Sequence, residues 1–122
     1  MSYTITPSSD RTYIFLKVVG EITRESAMEQ NIKAHALGKK LGINKFLVDM
    51  TESRNTDSVI DNYKFAYDDM TTPDIDPSAR VAAVISPDDN SHDFVVTAMM
   101  NSGLNIAMFN DIESAKKFLM GV

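Results

Sequence analysis

The 122-residue chain carries 17 acidic against 12 basic side chains, and the resulting net charge of −5 opposes association with nucleic acid or anionic lipid. It has no cysteine, which excludes a disulfide framework, a thiolate metal site and a cysteine nucleophile, and fits a reducing compartment such as the cytoplasm. The length predicts one domain over residues 1–122, since domains run to roughly 100–200 residues, and neither a secretory leader nor the ~18 apolar residues of a membrane span is present.

Residues 4–7, the turn formers Ser8, Ser9 and Asp10, and the apolar run 13–19 read as a β-hairpin, closed by Gly20. Thr23 is placed to N-cap a helix over 24–41, and Gly42 to stop it. Lys39 and Lys40 then complement the dipole at its C-terminus, with Lys33 one turn or more earlier, rather than forming a phosphate-binding patch. Residues 45–49 form a short apolar strand ending in Asp49, residues 51–57 a polar loop, and Ser58 precedes a second helix that runs to Met70. Pro73 and Pro77 bracket an irregular connection to a buried-type strand at 80–85. Residues 86–90 break the chain before a third helix over 92–102, and Gly103 ends it. A last strand covers 104–109, and Asp111 caps a final helix whose Ile112, Ala115, Phe118 and Leu119 share one face. Strands alternating with helices predict an α/β fold: four consecutive strand–helix units on a largely parallel sheet, with an antiparallel N-terminal edge strand.

On the second helix, Val59, Tyr63, Ala66 and Met70 form the expected core stripe, which sets Phe65 among Asp61, Asp68 and Asp69 as an exposed aromatic suited to a partner. The first helix carries Ala27, Ala34, Leu37 and Leu41 on one side and Met28, Ile32 and Ala36 nearly opposite, so its second stripe needs a neighbouring element or a second subunit of a homodimer. The third helix is apolar round much of its circumference, through Phe94, Val95, Val96, Ala98, Met99 and Met100.

Chemistry-bearing patterns are sparse. No glycine-rich phosphate loop follows a strand and no nucleophile elbow surrounds Ser58. With His35 and His92 the only histidines, a multi-histidine metal site is excluded, and His92 beside Asp93 reads as polarity at a helix start. Asp49, Glu52 and Asp57 read as acids of a solvated loop rather than ligands of a hard cation, and the acid pair of a response regulator is missing, since Val18-Val19-Gly20-Glu21 supplies one carboxylate. No enzyme, cofactor or metal is predicted.

The run Phe46-Leu47-Val48-Asp49, followed by a loop and by Asp57-Ser58 opening a helix, resembles the STAS domain of anti-sigma factor antagonists, as does Gly20-Glu21-Ile22-Thr23 before the first helix. The whole chain, including 103–109, is similar to the SpoIIAA-like, STAS/Sec14-type bacterial proteins. That resemblance implies a non-catalytic regulatory module binding a protein partner through Asp49, Asp57, Ser58 and Phe65, with Ser58 at the position that a partner kinase phosphorylates. The antagonists follow that serine with a further serine and glycine, where this chain has Val59 and Ile60. From the residues alone, Ser58 is an N-cap. The Sec14 side of the resemblance implies an alternative, a carrier or sensor of a small apolar ligand with a pocket formed by Tyr63, Tyr67, Phe94, Val95 and Met99.

Overall fold

The computed structural model describes residues 2–121 and opens with a hairpin, β1 (Ser2–Pro7) and β2 (Ile14–Ile22). Its turn is held by local side chains: Ser8 Oγ accepts the Thr12 and Tyr13 N–H groups at 3.0 and 3.2 Å, and Asp10 Oδ1 accepts the Thr12 hydroxyl at 2.7 Å. Then follow α1 (Arg24–Leu41), β3 (Lys45–Asn55), α2 (Val59–Tyr67), a 3₁₀ turn (Asp69–Thr71), β4 (Arg80–Val84), α3 (Asp93–Asn101), β5 (Asn105–Phe109) and α4 (Ile112–Met120).

The sheet order is β1-β2-β3-β4-β5, antiparallel between β1 and β2 and parallel thereafter. Because each new parallel strand is added on the same side of the last, right-handed crossovers place all three connecting helices on one face. There α1 packs on β1 and β2, α3 packs on β5, and α2 sits between its neighbours. The other face is covered by α4, across β3, β4 and β5. Both faces of the central strands are therefore buried, which is why 45–49 and 80–85 read as continuous apolar runs. Ile14, Phe46 and Ala34 pack on the three-helix side, and Leu47, Ala82 and Val84 meet Ala115 and Leu119 on the other.

The α1 boundaries follow from capping. Thr23 Oγ1 accepts the Ser26 N–H, Ser26 Oγ accepts the Thr23 N–H at 2.9 Å, and Gly42 ends the helix at φ 71°. One turn earlier Gly38 is required for space, because a Cβ there would lie 2.6 Å from the Ile43 carbonyl oxygen and 3.0 Å from the Phe46 ring.

Several expectations change. The 51–57 segment is mostly strand: β3 continues to Asn55 and pairs Glu52 with Val19, Ser53 with Gly20, Arg54 with Glu21 and Asn55 with Ile22, past a register shift between Lys17 and Val19. In this extension Thr51, Glu52 and Arg54 are exposed while Ser53 is buried, so its polarity reflects a partly solvated strand rather than a loop. The second helix stops at Tyr67, before the 3₁₀ turn. Its orientation also differs: Phe65 is buried, 5% exposed, whereas Val59 and Tyr63 are 65% and 52% exposed. Val95, Val96 and Met99 of α3 receive Phe65 and Ala66, which fixes the helix rotation and leaves Phe65 no solvent-facing role. On α1 the second stripe divides, with Met28 packed against the α2–α3 cluster and Ile32 and Ala36 exposed. Phe94 and Met100 of α3 are exposed as well.

Candidate functional site

In an open parallel sheet the carboxyl ends of the strands are the usual place for a functional site. Here that end gathers the β2–α1 junction, the β3 ribbon with the start of α2, the 86–92 segment and the start of α3. Asp57 is central to the joinery. Its carboxylate accepts the Arg24 backbone N–H, one of the otherwise unpaired donors opening α1, and also the Ser58 N–H at 3.2 Å. One acid thus ties the starts of α1 and α2 together.

Ser58 is exposed. Its Oγ accepts the Asp61 N–H at 3.1 Å, which makes it the N-cap of α2, and donates to Asp61 Oδ2 at 3.1 Å. Arg24 lies beside this pair: its guanidinium holds Asp69 through two bonds of 2.6 and 2.9 Å and approaches Asp61 at 3.9 Å. The Arg24 hydrogen bonds hold the Asp69 carboxyl below the usual carboxylate range, and the same pairing raises the guanidinium. Asn55 fastens the neighbouring strand end, its side chain donating to Asn62 at 2.8 Å and its backbone N–H donating to Ser91 Oγ at 3.0 Å.

His92 stands at the start of α3, as its neighbour Asp93 suggested, and is 1% exposed. Its Nε2 lies 3.4 Å from the Ser53 carbonyl and 3.6 Å from Asp89, which also meets Arg54 at 3.6 Å. Burial pushes the His92 imidazole below its ordinary pKa, against the opposing pull of Ser53 and Asp89. The Ser91 backbone N–H in turn lowers the Asp89 carboxyl. Asp49 sits away from this group. It is buried on the α4 side of β3 and accepts the Thr51 hydroxyl and N–H at 2.7 and 3.0 Å.

Beneath α1, α2 and α3 lies a cavity of about 80 Å³, walled by Leu16, Val18, Phe65, Val95 and Met99, with Asn55, Asn62 and His92 at its polar edge. Of the five residues expected to form an apolar pocket, Val95 and Met99 line it. Tyr63, Tyr67 and Phe94 do not: Tyr63 is exposed and stacks at 4.5 Å on Tyr67, which packs against the α2–α3 cluster away from the cavity, and Phe94 is exposed. The volume is well below the roughly 300–1,000 Å³ of pockets that hold drug-sized molecules. It has no room for an acyl chain.

No family model matches the chain, and neither does any curated protein. Solved structures do. The chain is similar to a protein of the DUF3478 family with a SpoIIAA-like fold from Shewanella loihica PV-4, at 22% identity over 97% of this chain and 92% of that one, with a TM-score of 0.58. It is also similar to the anti-sigma factor antagonist SpoIIAA in its unphosphorylated form, at 11% identity over 99% and 98% of the two chains, with a TM-score of 0.60. The fold is SpoIIAA-like.

Within the SpoIIAA-like fold, the structure brings Asp57 and Ser58 together at the start of α2 and separates them from Asp49 and from buried Phe65. Sequence reasoning missed Arg24, whose partner is 45 positions away, and the pair Asn55 and Asn62, 7 positions apart, of which Asn55 also meets Ser91 36 positions on. It also missed the apolar surface that follows Ser58. Val59 and Ile60 are about two-thirds exposed, and Tyr63 continues the same ridge one turn on.

Proposed function

We propose that this chain is a non-catalytic regulatory module that binds a protein partner through the start of α2, with Ser58 as the site of a phosphorylation switch. One observation carries the proposal: an exposed serine hydroxyl at a helix N-terminus is followed at once by Val59, Ile60 and Tyr63, apolar side chains that the fold leaves uncovered. Solitary exposed apolar residues are ordinary, but a ridge of them at 1, 2 and 5 positions past a capping serine is a surface for contact. The SpoIIAA-like fold adds weight, because the antagonist of that fold exists in a form described as unphosphorylated.

The chemistry at Ser58 is suited to a switch. A phosphate on Oγ sits at the positive end of the α2 dipole and competes with the Asp61 carboxylate, which Ser58 Oγ now meets at 3.1 Å and which lies 3.9 Å from the Arg24 guanidinium. The two histidines are held by backbone groups: His92 Nε2 lies 3.4 Å from the Ser53 carbonyl, and His35 Nδ1 accepts the Asp76 N–H at 3.0 Å.

The test is mass spectrometry of the protein isolated from its own host, with fragmentation to place any phosphate, combined with crosslinking to its partner. The expected result is phosphate on Ser58, absent from Ser58→Ala, and a crosslinked partner lost in Ile60→Glu without a change in melting temperature. An unmodified Ser58 together with a partner that ignores Ile60→Glu overturns the proposal.

The ligand-carrier reading draws on the cavity alone. At about 80 Å³ it admits a molecule of a few heavy atoms, about half the space of an engineered cavity that takes up benzene.

A further inference from the structure

The strands are parallel from β2 onward, so every crossover helix starts at one end of the sheet and finishes at the other. Charge is unevenly spread along that polarity. Glu52, Asp57, Asp61, Asp88 and Asp93 lie at the end where α2 and α3 begin, whereas Lys39, Lys40, Lys45, Arg80 and Lys117 lie at the opposite end, where they outnumber Asp10, Asp74 and Asp76. At the acidic end the basic groups are committed: Arg24 to Asp69, Arg54 to Asp89 and Lys17 to Glu52 at 2.7 Å. Asp88 and Asp93 are exposed, and no lysine or arginine among the described residues pairs with either. Lys64 is the single basic residue of α2.

The exposed apolar ridge of α2 starts at the end that carries these acids, and the adjacent α3 carries Phe94, 44% exposed, in its first turn. We infer that Val59, Ile60 and Tyr63 of α2, with Phe94 of α3, form a docking surface for a basic amphipathic segment of a protein partner. The inference rests on the protein-interaction reading above and adds the chemistry of the partner. Apolar anchors cover the ridge, while lysine or arginine flanking them meets Asp57, Asp61, Asp88 and Asp93.

Other occupants fail on charge. A second copy docked face to face by a two-fold axis sets the same carboxylates against one another. Anionic lipid and nucleic acid are repelled for the same reason.

The test titrates the intact protein, observed by amide NMR, with two synthetic amphipathic peptides that share one leucine face and carry either lysine or glutamate on the other. The lysine peptide is expected to bind with shifts centred on 59–63 and on Phe94, and to lose affinity as salt rises from about 0.05 to 0.5 M. Replacing an anchor, in Ile60→Glu or Tyr63→Ser, weakens it about tenfold, the scale of an interface hot spot. Asp88→Lys with Asp93→Lys weakens the lysine peptide and strengthens the glutamate peptide, with the amide spectrum of each variant remaining that of the folded chain. Equal affinity for the two peptides, shifts elsewhere on the molecule, or concentration-dependent dimerisation through Ile60 each overturns the inference. A natural partner that crosslinks to α2 through a neutral or acidic segment also overturns it, and leaves the interaction-module reading standing.

Discussion

At the level of single residues, the tightest constraint is Gly38. A methyl at this position meets the Ile43 carbonyl and the Phe46 ring, both fixed by strand β3 and the α1–β3 connection. Gly38→Ala therefore loses stability by about 1–3 kcal/mol despite the better helix propensity of alanine, and a shifted urea midpoint at constant slope is the check. The two histidines make a second prediction. Burial lowers the pKa of both His35 and His92 in the folded chain, so as pH falls below about 6.5 the unfolded chain takes up their protons first. Stability is full at neutral pH and declines between about pH 6.5 and 5, before most carboxylates titrate. Urea midpoints measured at pH 7 and pH 5 should show the decline, and His35→Asn with His92→Gln, which keep hydrogen-bonding groups in place, should flatten it. His92 illustrates what sequence leaves open: next to Asp93 it read as polarity at a helix start, and only the neighbouring Ser53 and Asp89 reveal that its ring is buried.

At the level of elements, caps were legible because they are local. Thr23, Ser58 and Asp111 each accept a backbone N–H three residues on, at the position their side chains suggested. Helix rotation was not legible. α2 contains apolar residues on two overlapping arcs, and a nine-residue helix has too few turns for periodicity to choose between 59/63/66 and 65/66. The choice belongs to α3, whose Val95, Val96 and Met99 fill the space against Phe65 and Ala66. A contrast of two substitutions follows. Phe65→Ala empties a packed site and costs about 3–5 kcal/mol, whereas Tyr63→Ala, on the exposed side, changes stability by less than about 1 kcal/mol. Thermal unfolding of the two variants distinguishes the observed rotation from the opposite one, in which the order reverses.

For the whole molecule, the void under the three crossover helices is the least finished part of the core. Val96 lines it and is itself buried, so Val96→Ile places one more methyl group at its wall. A gain of about 0.5–1 kcal/mol is expected, seen as a raised melting temperature, because cavity filling stabilises when no neighbour must move. A loss of stability instead means the void is not reachable from α3. The same molecule-wide view explains why the apolar ridge of α2 went unseen in the sequence: its exposure depends on how α2 is turned against α3, and its acidic surroundings come from two distant stretches of chain, 52–61 and 88–93.

By itself the sequence determined the alternation of strands and helices, their caps, the buried character of β3 and β4, and the resemblance that the SpoIIAA-like architecture supports, since each depends on neighbours within a few positions or on apolar runs. Tertiary structure decided which face of each helix is covered, that 51–55 extends a strand, that Asp57 accepts the Arg24 N–H at the start of α1 rather than lying in a solvated loop, and that Val59, Ile60 and Tyr63 rather than Phe65 meet solvent. Burial is a property of what lies across the interface, and a short amphipathic helix is compatible with more than one interface until the sheet and the adjacent helix are in place.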